Sequence, residues 1–216
     1  MNSTPIDDHR NALAVYNAAM LPAALGFRVH SGWAAAVAIS LDRKSPVVVD
    51  RRRIEMADRK KHESVQPYHR AAELDLKKAE LFIRSCLDQA TRMASEALRE
   101  MTGHLDENGY RTVGSGILQA SGRPATTLAA TLASHAMIHT AEGEHFREAI
   151  AQASEQSDLP VTKVKERELY PRAEANLALP ANELAATIAR LGKTVGPPWR
   201  QDEKLAALIA WLVVVK

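Results

Sequence analysis

The chain has 216 residues, 46% of them apolar, enough to bury a full core in one compact domain. Its 28 basic and 26 acidic side chains leave a net charge of only +2, so no global field draws it to nucleic acid or an anionic membrane, and any such binding has to be local. The lone cysteine, Cys86, excludes an intramolecular disulfide and fits a reducing compartment.

The opening residues, with Asn2, Ser3, Thr4, Asp7 and Asp8, lack the basic-then-apolar order of a secretory signal, and the cytoplasm is the expected address. Residues 1–24 read as a peripheral helical segment, alanine-rich from His9 and interrupted at Pro22, and residues 25–216 as a single α/β domain. Three strand-like segments follow at 25–30, 33–39 and 47–54. Ser31-Gly32 and Lys44-Ser45-Pro46 supply turn residues between them, which predicts an antiparallel three-strand meander.

Pro67 opens a long amphipathic helix to about Met101, with Ala79, Phe82, Cys86, Ala90, Met93, Ala97 and Met101 recurring at three and four, and Gly103 marks its end. Asn108-Gly109 is a turn before a fourth strand at 110–120, which contains Gly114 and Gly116. A helix over 126–154 comes next, then Asp158-Leu159-Pro160 and a fifth strand at 161–164. A loop around Tyr170-Pro171 leads to a helix over 182–191 that Gly192 stops, and Gly196-Pro197-Pro198-Trp199 forms a rigid loop. The last helix starts at Gln201 with Asp202 and Glu203 in its first turn, where acids complement the helix dipole. Its apolar run, 205–215, is short of the roughly 20 residues a membrane helix needs, so a core helix is expected and no membrane partner.

Chemistry concentrates on the helix over 126–154. At about 100° per residue, Leu132, His135, His139, Glu142, Phe146 and Ile150 share one stripe, the one expected to face the core. An unpaired polar group in an apolar site costs roughly 2–7 kcal/mol, so these three must hydrogen-bond, hold a metal or line a wet pocket. The spacing H-x3-H-x2-E lets His135, His139 and Glu142 converge on one divalent ion, as in zinc hydrolases and non-haem iron sites. The outer two lie about 10 Å apart along the helix axis, so a further group from elsewhere would have to close such a site. Two other readings stay open: neutral imidazoles bonded to backbone or to Glu142 that merely pack the helix, and a metal-free His-Glu acid-base pair.

Between Arg43 and Lys61 stand eight basic residues. Alternation puts Arg51 and Arg53 on one face, which with Lys60 and Lys61 could meet a phosphate backbone, although charge also blunts edge strands. With aromatics at 5%, a base-stacking platform is not supported. Gly192-Lys193-Thr194 is no phosphate loop, because Thr187 stands where that motif needs glycine. No G-x-S-x-G element occurs, Cys86 sits on an apolar stripe, and Trp33, Trp199 and Trp211 read as anchors.

The order of elements resembles the ribonuclease H-like fold, and within it the Holliday-junction resolvases. The resemblance implies a five-stranded mixed sheet, the antiparallel meander first, flanked by helices. Active members place an aspartate on the first strand, a glutamate near the end of the fourth and one or two acids on the last helix, which hold two divalent ions for attack on a phosphodiester. Here residues 25–39 contain no acid, Gln119 stands where the glutamate is wanted, and only Asp202, with Glu203 beside it, matches. The actin-like ATPases share a related fold, but Ser31-Gly32 lacks the acid of their phosphate loop. The resemblance therefore implies the fold without an intact two-metal nuclease site, and a protein that binds a nucleic acid or a protein partner. Its pocket would be the stripe of His135, His139 and Glu142, joined by Asp202 and the loop bearing Trp199. The alternative is a hydrolase that uses the stripe, with a divalent metal as the cofactor in view.

Overall fold

The computed structural model describes residues 20–120, 122 and 127–216; the helical segment expected over 1–24 lies outside them as far as residue 19. Five strands form one mixed sheet in the order β3-β2-β1-β4-β5, with β1 Leu21–His30, β2 Trp33–Asp42, β3 Ser45–Glu55, β4 Tyr110–Gln119 and β5 Val161–Lys165. The first three make the antiparallel meander, and β4 and β5 add in parallel. The turn at Gly32 has φ +80°, a conformation glycine adopts without steric cost. Residues 21–24, expected to close a helix, instead open β1. Pro22 is tolerated there because its pairing with β2 begins only at Ala23.

The helices are α1 His62–Val65, α2 Pro67–Ala71, α3 Leu76–Glu107, α4 Leu128–Leu132, α5 His135–Gln156, α6 Leu169–Leu177, α7 Ala181–Val195 and α8 Gln201–Val214. On one face of the sheet, α3 and α5 close over Leu25, Phe27, Val29, Ile54 and Ile117. On the other, α8 lies on Ala24, Val37, Ile39 and Leu118, with α6 and α7 outside it. Both sheet faces are thus covered, which is why β2 is buried from Ala34 through Ser40 without alternation.

Several boundaries differ from the sequence reading. The helix expected from Pro67 is broken before Leu76, where the Asp75 carboxylate caps a new start by accepting the Lys78 N–H at 3.0 Å. It then runs through Gly103 to Glu107. The helix expected over 126–154 is likewise two, α4 and α5, parted at Ala133 and Ser134. Tyr170 and Pro171 lie in the first turn of α6, where a proline needs no N–H partner, so the expected loop is helical. Helix α7 continues past Gly192 to Val195. No helix among the described residues is long and apolar enough to cross a membrane.

Candidate functional site

The break before α5 changes the meaning of the histidine stripe. His135 is the first residue of α5, and both His135 and His139 are exposed, contrary to the burial expected of them. The buried face runs through Ile138, Glu142, His145, Phe146, Ala149 and Ile150, so only the later part of the expected stripe is inward. Its first turns project past the core and meet α2 instead.

From α2 comes His69, which the sequence reading missed. The ligand-capable atoms of His69, His135 and His139 all lie within 4.8 Å of one another. His135 Nε2 and His139 Nε2 are 3.1 Å apart, as the one-turn spacing of i and i+4 allows. Glu142, 2% exposed, is not a member of this set. Its Oε1 accepts from the Nδ1 of His69 at 2.8 Å and from the His69 backbone N–H at 3.2 Å. A carboxylate only accepts, so the bond calls for the proton on His69 Nδ1, and in that tautomer of the neutral ring Nε2 is the nitrogen with the lone pair. The buried carboxylate raises the pKa of Tyr68, whose own burial is the larger cause. His69 also borders an open cleft of about 360 Å³ with His62, Glu63, Gln66, Arg70 and Glu73.

A second cluster gathers where β1 and β4 end beside the start of α8. Asp202 Oδ1 and His30 Nε2 are 2.9 Å apart, while Glu203 accepts the Arg200 N–H at 2.8 Å. The two neighbouring acids thus divide the work, Glu203 capping the helix and Asp202 reaching the strand. His30 stacks on Trp33 at 4.4 Å between ring centres and 11° between planes, and the Arg53 guanidinium lies 3.6 Å over the Trp33 ring. Arg28, also on β1, pairs with Glu166 at 2.9 Å, and its buried Nε has no partner among the described residues. Arg147 of α5 reaches the end of β4, donating from Nε to the Leu118 carbonyl at 3.1 Å and pairing with Glu144 at 2.9 Å. Burial lowers the Arg147 pKa below the usual guanidinium value, with Glu144 opposing the fall and Arg28 adding to it. A shallow cleft of about 510 Å³, bordered by Ala120, Glu166, Tyr170 and Gln201, opens beside them.

The remaining predicted residues scatter. Arg51 donates from Nη1 to the Gly196 carbonyl at 2.8 Å and to that of Pro198, so it ties the edge strand β3 to the loop instead of facing solvent. Arg53 bonds Glu55 at 2.5 Å. Lys60 and Lys61 are exposed in the turn before α1. Trp199 donates from its indole nitrogen to the Ile188 carbonyl at 2.9 Å and so anchors the loop to α7. The pocket expected to unite His135, His139 and Glu142 with Asp202 and Trp199 does not form as one. The histidines lie against α2 on the α3 and α5 side, and Asp202 pairs with β1 at the start of α8. The sequence reading also missed Arg28, whose signal was a lone charge inside an apolar strand; His69 carries no sequence spacing to the α5 pair.

No protein-family model and no curated protein matches the chain. Among solved structures, the RuvC protein of Thermus thermophilus is similar over 88% of this chain and 91% of its own, at 9% identity and a TM-score of 0.50. The T. thermophilus RuvC in complex with a Holliday junction substrate is similar over 88% of this chain and 90% of its own, at 10% identity and a TM-score of 0.49. At such identity the likeness speaks for the fold alone, and the fold is ribonuclease H-like, with the antiparallel meander leading a five-stranded sheet.

Proposed function

We propose that this is a ribonuclease H-like domain that binds nucleic acid through its phosphates and lacks a two-metal nuclease centre. The observation that carries the reading is the placement of Arg28 and Arg147 at the ends of β1 and β4, where the family resemblance leads one to expect carboxylates. Two divalent ions need several hard oxygen donors and an anionic site. The residues present do not fit them: Arg28 and His30 are the charged and titratable side chains of β1, Gln119 ends β4, and the Asp202 carboxylate is engaged by His30. A guanidinium in place of a carboxylate repels a metal ion and attracts a phosphate, with which it forms charge-assisted, often bidentate hydrogen bonds. The Nη2 of Arg28 pairs with Glu166, which is exposed enough to give way to a stronger anion.

The test measures fluorescence anisotropy with labelled duplex DNA and a four-way junction, across a salt series, alongside a cleavage assay in Mg²⁺ and in Mn²⁺. Binding that weakens steeply with salt is expected, with Arg28→Ala weakening it further and lowering the salt slope by about one. No cleavage is expected. Metal-dependent cleavage abolished by Asp202→Asn, or no binding of either DNA at low salt, overturns the reading.

A further inference from the structure

We infer that His69, His135 and His139 hold one divalent transition-metal ion of the zinc type, with Glu142 as a positioning residue and one coordination position left to water. This stands apart from the phosphate-binding reading, since it uses neither Arg28 nor Arg147.

Three facts support it together. The imidazoles come from two elements, His69 on α2 and the other two one turn apart on α5, which is what lets three rings surround a point that one helix cannot enclose. The rings meet edge to face, with centres 4.9 Å apart for His69 and His139, 5.4 Å for His69 and His135, and 4.5 Å for the α5 pair. Tetrahedral ligation at zinc–nitrogen distances of about 2.0–2.1 Å asks for nitrogens roughly 3.3 Å apart. The α5 pair at 3.1 Å already meets this, and exposed side chains rotate readily to bring the set from within 4.8 Å to that spacing.

The third fact is Glu142. Its buried carboxylate, 2.8 Å from Nδ1, restrains the tilt of His69 and leaves Nε2 as the nitrogen to ligate, the carboxylate–histidine arrangement by which metal sites orient a ligand and raise its basicity. A pair that served only to tie α2 to α5 would need His69 and Glu142 alone and would leave the positions of His135 and His139 without consequence. Neutral imidazoles suit zinc, copper, nickel and iron, and hard ions such as magnesium poorly. Three protein nitrogens with an open position are the pattern in which zinc acidifies a bound water. The N-terminal end of the α5 dipole opposes a cation, but weakly beside three direct ligands.

The experiment uses the full chain purified without an affinity tag, stripped with chelator, loaded with Zn²⁺ and desalted, with metal counted by mass spectrometry and affinity by competition with a chromophoric chelator. One zinc per chain is expected, and Co²⁺ in its place should give the intense visible absorption of a four-coordinate site. Because His135 and His139 are exposed, His135→Ala and His139→Ala should fold like the wild type by circular dichroism yet lose the stoichiometric ion. Glu142→Gln should weaken binding about 10–100-fold while leaving the ligand set in place. The inference falls if the wild type retains well below one zinc, or if folded His69→Ala binds as tightly as the wild type, which would reduce the site to an adventitious pair on one helix. Should His69→Ala fail to fold, unchanged affinity in His135→Ala overturns it equally.

Discussion

His145 is the residue whose burial has the clearest consequence for stability. It is 4% exposed, with Tyr68 edge-on at 5.9 Å and Phe146 at 5.1 Å, and its Nε2 has no partner among the described residues. Burial pushes its pKa down from 6.5 to about 4, against a weak opposing pull from the Cys86 backbone. The unfolded chain therefore takes up a proton that the folded one refuses. The stability that His145 contributes is fully present above its unfolded pKa and is lost as pH falls through the folded one, a total of about 3 kcal/mol. In urea unfolding, His145→Phe should gain on the wild type by that order between about pH 7 and pH 4, and parallel curves for the two proteins would refute the assignment. Residues of this kind show how far the sequence could be read. His135, His139 and Glu142 stood out by spacing, and Asp202 by position in the last helix. His69 could not, because its link to them is purely tertiary, formed by the turn of chain that Pro67 starts, with a buried carboxylate rewarding whichever donor arrives.

Among the elements, two glycines inside helices have opposite meanings. Sequence propensity treats Gly103 and Gly192 alike, as stop signals, yet both helices run on past them, α3 with Leu105 buried beyond its glycine and α7 with the Trp199 indole packed against its own. At Gly103 of α3 an added Cβ meets nothing within 4 Å. Gly103→Ala should therefore raise stability by about 0.5–1 kcal/mol, since alanine loses less backbone entropy on folding. At Gly192 of α7 the same Cβ would stand 2.2 Å from Trp199 Cδ1. The glycine is there to let the indole lie against the helix and donate to Ile188, which holds the loop that Arg51 grips from β3. Gly192→Ala should cost about 1–3 kcal/mol through the displaced indole, in spite of the better helix former. Urea midpoints of the two variants, moving in opposite directions from the wild type, check both halves of the claim. The meander and the start of α8 were legible because turn residues and caps act locally. The continuation of α7 was not, because a packed indole acts through what lies nearby in space, whereas the break before α3 carries a local signal that the sequence reading passed over, the Asp75 cap on the N–H three residues on.

For the molecule as a whole, the decisive contact is between the sheet and α8. Gly26 of β1 and Gly116 of β4 are partners in the parallel ladder and form a patch without side chains at the middle of the sheet. Helix α8, buried from Leu205 through Val214, sets its backbone on that patch, with small residues Ala206 and Ala210 turned to it. A Cβ on Gly26 would lie 1.9 Å from the Ala206 carbonyl oxygen and 2.8 Å from the Ala210 nitrogen, atoms that cannot move without the helix. A Cβ on Gly116 would come within 2.7 Å of Ile209 Cγ1, a side-chain atom with some freedom to turn. The two substitutions are chemically identical and should differ in outcome: Gly26→Ala costs about 3 kcal/mol or more, and Gly116→Ala about 1–3 kcal/mol. Lifting α8 also draws Asp202 away from His30, so Gly26→Ala should loosen the end of β1 where Arg28 stands, while the histidine cluster, on the other face of the sheet, keeps its geometry. Hydrogen exchange resolves this: faster exchange in α8 and at the end of β1, with α5 amides protected as in the wild type, is the expected pattern. Equal stability of the two variants would mean that the helix rides above the sheet on side chains, and that the close seat of α8 does not hold the two ends of the site together.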